Sequence, residues 1–413
     1  MVVLALLLMP SGRFKPPNHE PEGSSRAVTA ITRGPLRHVA VNTRFLLPNR
    51  LEGLGRFTWE VVRQLTATHP DVQFSFLFDR PYDPAYICGA NVRPVVLFPP
   101  ARHPLLFMAW FDGALPAWLA RHQPDVFFSP DSFLSLRTSI PQVAVIHDLA
   151  YIHEPQGVSP VHRWYYQVFM PRFARKAQRL LTVSEYTRQD VIRQFGISPS
   201  KITVCHNGQT ASFKPSAPEA IQTLRKRLGL AEPYFLYAGA IHPRKNIGNL
   251  LWAFDLFKAR TGLPHLLVLT GRMAWKTQAD LQIYDTLEHR TAVRFTGRLD
   301  DADLNTLYGG AVALCYVSRF EGFGLPILEA FQAETAVITS GVSSMPEVAG
   351  DAALLVDPAS PESIASALET LATQAEFRRT LVERGRLQRE RFSWARTANT
   401  VWEALEAAQK DKS

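Results

Sequence analysis

From His38 onward, short apolar runs alternate with stretches whose apolar residues recur at helical spacing. HVAVN reads as a first strand and FTWEVVRQLTAT as the helix after it, with a start near Phe57. FSFLF, VVLF, DVFFS, VAVIHD and RLLTVS continue the series as far as KITVCHNG. Such runs suit strands buried on both faces, and the helical stretches between them suit parallel crossovers. ASFKPSAPEA, rich in Pro, Ser and Ala, breaks the pattern and reads as a linker. Alternation restarts with YFLYAGA, a helix over NIGNLLWAFDLFKAR, then LLVLTG, VRFTG, AVALCYV, AVITS and ALLVD. The pattern predicts two doubly wound α/β units in tandem, residues 37–212 and 213–390. Residues 391–413, which contain FSWARTANTVWEALEAAQK, predict a terminal helix that packs back on the first unit.

Composition adds limits. A chain of 413 residues, 46% hydrophobic and 20% charged, is long enough for two cores. Cys88, Cys205 and Cys315 lack disulfide or metal spacing, which suits a reducing, cytoplasmic setting. The formal charge of +8 favours an anionic partner such as nucleotide phosphates or an acidic membrane surface. No nucleic-acid recognition motif accompanies it, so nucleic acid is not expected. Residues 1–36 are expected to be a disordered leader: MVVLALLLM has no basic segment before it and is too short to span a bilayer. No transmembrane helix is expected elsewhere. LLFMAWFDGALPAWLARHQ and RWYYQVFMPRFARKAQR pose a choice between buried packing and peripheral membrane contact; packing is favoured.

Candidate chemistry concentrates in RFEGFGLPILEAF, where Glu321 and Glu329 stand eight positions apart. Between them the turn Gly322-Phe323-Gly324-Leu325 permits close backbone approach, and Pro326 suits the first turn of a helix. That helix entrance is a ready site for a diphosphate, with two carboxylates beside it to accept from sugar hydroxyls. Arg244 and Lys245 follow the strand YFLYAGA, at the strand end where open α/β sheets bind ligands. Cations at a helix start oppose the dipole, which favours a binding role for them. His147 and Asp148 end another strand, and taken alone read as structural. Gly53 and Gly55 precede a helix, and no GxGxxG fingerprint follows the first strand, so a dinucleotide oxidoreductase is not expected. Asp301-Ala-Asp303 reads as helix capping rather than a metal pair.

EGFGLPILE resembles the E-x7-E motif of retaining glycosyltransferases of family 4, which have the GT-B architecture of two facing Rossmann-like domains. TAVITSGVSSMPEVAGDAALLVDP, YAGAIHPRKNIGNLLWAF, LTVSEYTRQDVIRQFGISPSKITVCHNG, VAVIHDL and EGLGRFT are similar to further segments of that family, in its order. The resemblance implies catalytic parts for His147, Glu321 and Lys245, with His147 beside the donor sugar and Lys245 on the leaving pyrophosphate. It implies donor contacts for Gly53, Gly55, Arg244, Gly322, Phe323, Gly324, Leu325 and Glu329. Asp148 is expected to orient, and Ser344 and Glu347 to line the nucleotide end. One departure is Ala240, where some members carry an Arg. The implied reaction moves a hexose, mannose-like by the look of HPRKN and VIHDL, from a GDP- or UDP-linked donor to a glycan or lipid-linked acceptor. It implies no cofactor beyond the nucleotide sugar, no essential metal, and a cytoplasmic protein, with a peripheral seat at the inner membrane surface left as an option. The alternative is a non-catalytic GT-B binding or scaffold protein.

Overall fold

A computed structural model of the chain describes residues 34–47, 51, 53–101, 103–272 and 278–411. The expected leader lies outside them up to residue 33, and Leu36, assigned to it, is a core residue.

A first sheet is built from β1 (His38–Asn42), β2 (Gln73–Phe78), β3 (Val92–Val96), β4 (Val126–Ser129), β5 (Gln142–Ile146), β6 (Arg179–Thr182) and β7 (Ile202–Val204). A second contains β8 (Tyr234–Ala238), β9 (Leu266–Thr270), β10 (Val293–Gly297), β11 (Ala313–Tyr316), β12 (Ala336–Ser340) and β13 (Leu354–Val356). Their orders are β3-β2-β1-β4-β5-β6-β7 and β10-β9-β8-β11-β12-β13, and all neighbouring strands pair in parallel. β4, β5, β8, β9, β11 and β12 are buried along their whole length, as strands covered by helices on both faces must be. Chain order reverses between β1 and β4, and again between β8 and β11. Loops leaving the strands there diverge to opposite faces and leave a crevice at their carboxyl ends.

Two boundaries differ from the sequence reading. β3 is VRPVV rather than VVLF, because Pro94 is tolerated on this edge strand. The first helix runs Gly53–Thr68, so Gly53 and Gly55 are its opening turn rather than a loop before it. Gly55 is needed for packing: a Cβ there would lie 2.6 Å from the Phe45 carbonyl oxygen.

The chain crosses between the two sheets twice, once after β7 and again between the helices Ala375–Arg389 and Trp394–Lys410. The crossings touch. Gly208 leaves no room for a Cβ, which would meet Trp394 N at 2.1 Å, and Gln209 Nε2 donates to the Arg389 carbonyl at 2.6 Å. The helix Trp394–Lys410 then lies against the first sheet's side of the molecule. Trp394 meets Phe57 edge-on, Trp402 stacks on His69, and Asp411 pairs with Arg179. Among the described residues no helix is long and apolar enough to cross a membrane.

Candidate functional site

A cleft of about 720 Å³ opens between the carboxyl edges of the two sheets. Both strand-order reversals feed it: Leu51 and Gly53 follow β1 and the segment Gly239–Lys245 follows β8, while His147 follows β5 and Tyr316 and Glu321 belong to β11 and its loop.

The second sheet's wall is organised around Glu321, which is only 6% exposed. Arg244 Nη1 donates to Glu321 Oε2 at 2.6 Å and to the Phe320 carbonyl at 2.8 Å. Lys245 Nζ donates to Glu321 Oε1 at 2.5 Å and to the Tyr316 hydroxyl at 2.7 Å. Local folding sets this arrangement. Pro243 opens a single turn capped by His242, whose Nδ1 accepts from Arg244 N. Asn246 takes a left-handed conformation and anchors the turn through Nδ2 to the Val317 and Pro358 carbonyls. Burial alone would raise the Glu321 carboxyl, but the Arg244 and Lys245 cations outweigh it and bring it down to about 2. Burial also pulls the Lys245 ammonium down to about 8, against the opposing attraction of Glu321.

Gly324, at φ 110°, turns the chain into the helix Leu325–Gln332. Ser344 Oγ donates to the Glu321 and Phe323 carbonyls at 2.9 Å each and fixes the loop from behind. The helix entrance carries fewer N–H donors than an ordinary one. Pro326 has none, and Ile327 N already donates to the Gly324 carbonyl. Glu329 faces the same cleft one turn on, accepting from the Tyr308 hydroxyl at 3.0 Å. Burial raises its pKa against the lowering field of Arg56.

The opposite wall centres on His147, with Arg56, Asp148 and Glu154 also lining the cleft. His147 Nε2 lies 2.7 Å from the Pro130 carbonyl, which can only accept, so Nε2 carries the hydrogen. Burial lowers the imidazole pKa, so the ring is neutral and Nδ1 is its remaining acceptor. Phe57 packs edge-on against it at 4.9 Å. The walls meet at Gly322: a Cβ there would lie 1.8 Å from the His147 carbonyl oxygen and 2.8 Å from Asp148 Cβ. Ser184 Oγ donates to the Gly322 carbonyl at 2.7 Å across this seam.

His147, Asp148, Gly53, Arg244, Lys245, Glu321, Gly322, Phe323, Gly324, Leu325 and Glu329 therefore line one cleft. Gly55 supports it from within the helix Gly53–Thr68. Ser344 and Glu347 do not line it, contrary to expectation. Ser344 is fully buried behind the loop, and Glu347 caps the helix Glu185–Phe195 of the other half. Its carboxylate accepts from Glu185 N at 2.8 Å and Tyr186 N at 3.1 Å, and sits 2.7 Å from His206 Nε2. The helix cap at Asp301–Gly309 is Asp300, not Asp301 or Asp303. Asp301 instead reaches across the cleft to Arg56 at 2.9 Å, while Asp303 turns away to Arg227. Arg56 was missed in the sequence, although one position beyond the Gly53-Leu-Gly55 string was signal enough to consider it. Tyr316 and Tyr308 were missed because a strand or helix tyrosine has no motif of its own.

Residues 51–211 match the family described as Glycosyltransferase Family 4, and residues 220–388 match Glycosyl transferases group 1. O-antigen chain mannosyltransferase B of Escherichia coli is 29% identical over 356 residues, which is 83% of this chain and 93% of that protein. The serotype-specific mannosyltransferase WbdA of Escherichia coli is 30% identical over 273 residues, or 64% of this chain; the match spans only 33% of that longer protein. The solved structure of Anabaena Alr3699/HepE in complex with UDP and glucose shares the fold, with a TM-score of 0.70 at 15% identity over 90% of this chain and 98% of that one. With two facing parallel-sheet units, both family matches and a relative aligned along nearly its whole length, the chain belongs to the family 4, group 1 glycosyltransferases of GT-B fold.

Proposed function

We propose that this glycosyltransferase moves a mannose-like hexose from a nucleotide diphosphate donor to a hydroxyl of a glycan or lipid-linked acceptor, with retention at the anomeric carbon. The observation that carries the proposal is the buried Arg244–Glu321–Lys245 triad facing His147 across one cleft. A departing diphosphate develops charge as the glycosidic bond breaks, and preorganised cations in a low-dielectric site stabilise that charge strongly. Lys245 and Arg244 serve the diphosphate, which competes with Glu321 for them. Glu321 then accepts from the sugar hydroxyls, and Glu329 from the ribose. His147 Nδ1 accepts from the sugar on the opposite side. Arg244 supplies the second cation that Ala240 cannot. No side chain is asked to be a covalent nucleophile; attack from the leaving group's own face accounts for retention. The mannose preference and the glycan acceptor are supported by the two mannosyltransferase relatives, and a UDP-type diphosphate by the HepE complex. A peripheral seat at a membrane surface belongs to the same proposal, since lipid-linked acceptors reside there.

A donor screen tests it. Purified protein is incubated with GDP-, UDP-, ADP- and dTDP-sugars beside a glycan acceptor, and released nucleoside diphosphate is followed with Glu321→Ala as control. Release from one donor, absent in the control, is expected. Turnover that persists in the control, or no response to any donor in turnover or melting temperature, overturns the reading and favours a scaffold.

A further inference from the structure

A buried ion pair stands where the first sheet's chain order reverses, and it takes no part in the chemistry above. Arg44 follows β1 and Asp131 follows β4, the two strands at that reversal. Arg44 Nε donates to Asp131 Oδ2 at 2.7 Å, and each residue is 4% exposed. Four rings surround the guanidinium: the centroids of Phe45, Phe107 and Phe111 lie 5.0 Å from its carbon, and that of Phe133 4.7 Å. A buried pair of this kind is a weak source of stability, because apolar residues of similar volume often serve as well or better. Its use is to be found in what it holds.

It holds a turn. The second carboxylate oxygen, Asp131 Oδ1, accepts from Ser129 Oγ at 3.0 Å and from Phe133 N at 3.2 Å. Ser129 Oγ in turn accepts from Asn42 Nδ2 at 3.1 Å, and Ser132 Oγ donates to the Val145 carbonyl at 2.7 Å. Ser132 takes a left-handed conformation, φ 74°, which persists only where its surroundings impose it. Pro130 is therefore fixed from both sides, although it has no N–H of its own by which to be tied. Its carbonyl is the group 2.7 Å from His147 Nε2. That contact decides which ring nitrogen carries the hydrogen and how the ring presents Nδ1 to the cleft. Burial lowers the imidazole pKa, and the Pro130 carbonyl, Asp148 and Asp131 all act against it, so Asp131 is also close enough for its charge to be felt at the ring.

We propose that Asp131, locked in place by Arg44, is a positioning residue for sugar transfer: through the Pro130 carbonyl it keeps His147 in its Nε2–H form, with Nδ1 aimed at the donor sugar. The inference deepens the proposed function and rests on that reading for the part His147 plays, though not for the tautomer. The two strand-order reversals then serve the cleft differently. At the second sheet's reversal, residues of the Gly239–Lys245 segment line the cleft themselves, whereas at the first sheet's reversal Arg44 and Asp131 aim a side chain carried by the neighbouring strand β5.

The full chain, isotope-labelled at its histidine ring nitrogens, is followed by NMR, and the His147 signals are assigned by their absence in His147→Gln. The unaltered protein is expected to show His147 bare at Nδ1 and protonated at Nε2. Asp131→Asn alone would leave Arg44 buried without its counter-charge and could unfold the protein, so both members are replaced together in Arg44→Met/Asp131→Leu. This double variant is expected to keep a cooperative melting curve while His147 becomes a mixture of the two tautomers. Its kcat is expected to fall by about tenfold to a hundredfold, as a misplaced group beside the reacting bond costs. Binding of GDP or UDP is expected to hold, because Arg244 and Lys245 on the opposite wall serve the diphosphate; a general loosening of the structure would weaken it as well. A folded double variant that keeps the single tautomer, or that transfers at the unaltered rate, overturns the proposal. So does a double variant that no longer folds, which would make the pair part of the core. If the unaltered protein transfers no sugar, yet its fixed His147 tautomer is lost in the folded double variant, the transferase reading falls and the positioning stands.

Discussion

The two walls of the cleft are made by opposite means. The second sheet's wall concentrates charge in contacts between its own residues, with Arg244, Lys245 and Glu321 all held by β8, β11 and their loops. The first sheet's wall presents a helix start, a neutral imidazole tied to a backbone carbonyl, and the separate side chains of Arg56, Asp148 and Glu154. Contacts across the seam are of a third kind. They include hydrogen bonds such as Ser184 to the Gly322 carbonyl and the Glu185 and Tyr186 N–H groups to Glu347, and the half-exposed Arg56–Asp301 ion pair. A buried ion cluster loses several kcal/mol when one partner is removed, whereas a single hydrogen bond exchanged for water changes stability by about 1 kcal/mol. Keeping the charges within one half therefore lets the halves separate without pulling the cluster apart.

Replacing Glu321 is the strongest way to break this comparison. Glu321→Ala leaves two buried cations facing each other. We expect loss of transfer by about 10²–10³-fold or more, and destabilisation of about 3–5 kcal/mol. Nucleoside diphosphate release and denaturant melts measure the two effects. Near-normal turnover would mean that the triad is architectural only.

Gly322→Ala tests the seam. Its Cβ would stand 1.8 Å from the His147 carbonyl oxygen, so the walls must part. A stability loss of about 1–3 kcal/mol is expected, with a higher KM for donor and an intact second half. A KM unchanged by the substitution would show that the observed closeness of the walls does not matter to binding.

pH separates Lys245 on one wall from His147 on the other. Lys245, depressed to about 8, loses its proton as pH rises through that value. Diphosphate affinity should be full below it and fall by up to about tenfold per pH unit above it. Titration calorimetry with the nucleoside diphosphate measures the fall, and Lys245→Arg should move it beyond the accessible range. His147, whose pKa burial lowers, is neutral throughout that window and contributes no step. A fall that survives in Lys245→Arg would assign the titration to another group.

The smallest effect is expected at Arg56. Its ion pair with Asp301 crosses the cleft, but Asp301 is half exposed, so Arg56→Ala should change stability by no more than about 1 kcal/mol. A melting curve checks this. A larger loss would show that a cross-cleft charge pair holds the halves together after all.

The strands and the Glu321 loop were legible because each depends on residues near one another in sequence. Apolar runs gave nearly every strand, and RFEGFGLPILEAF carried the Glu321 loop and its helix together. Pro94 hid β3 because edge position, which makes a strand proline harmless, is a property of the sheet and not of the segment. The seam was illegible for a related reason. Gly322 is glycine because of a carbonyl at residue 147, and Glu347 caps a helix that starts at Glu185. SSMPEV reads as a loop, although Met345–Ala349 is a short helix, and the string does not say what stands opposite it. Asp301 was misread similarly: DDAD at a helix start looks like capping until Arg56 is brought over from the first half. In each case the missing partner is distant in the chain.

The paired crossings at Gly208 and Trp394 have a mechanical meaning. A single linker would leave one half free to swivel and slide against the other. Two strands of chain laced side by side, through the Gln209 bond to Arg389 and the Thr397 hydroxyl on the His206 carbonyl, act as the spine of a book. They leave folding about that spine as the softest motion, and they resist shear. The pages can part to admit a sugar and its acceptor, and each time they shut, the same lines of text come to face one another.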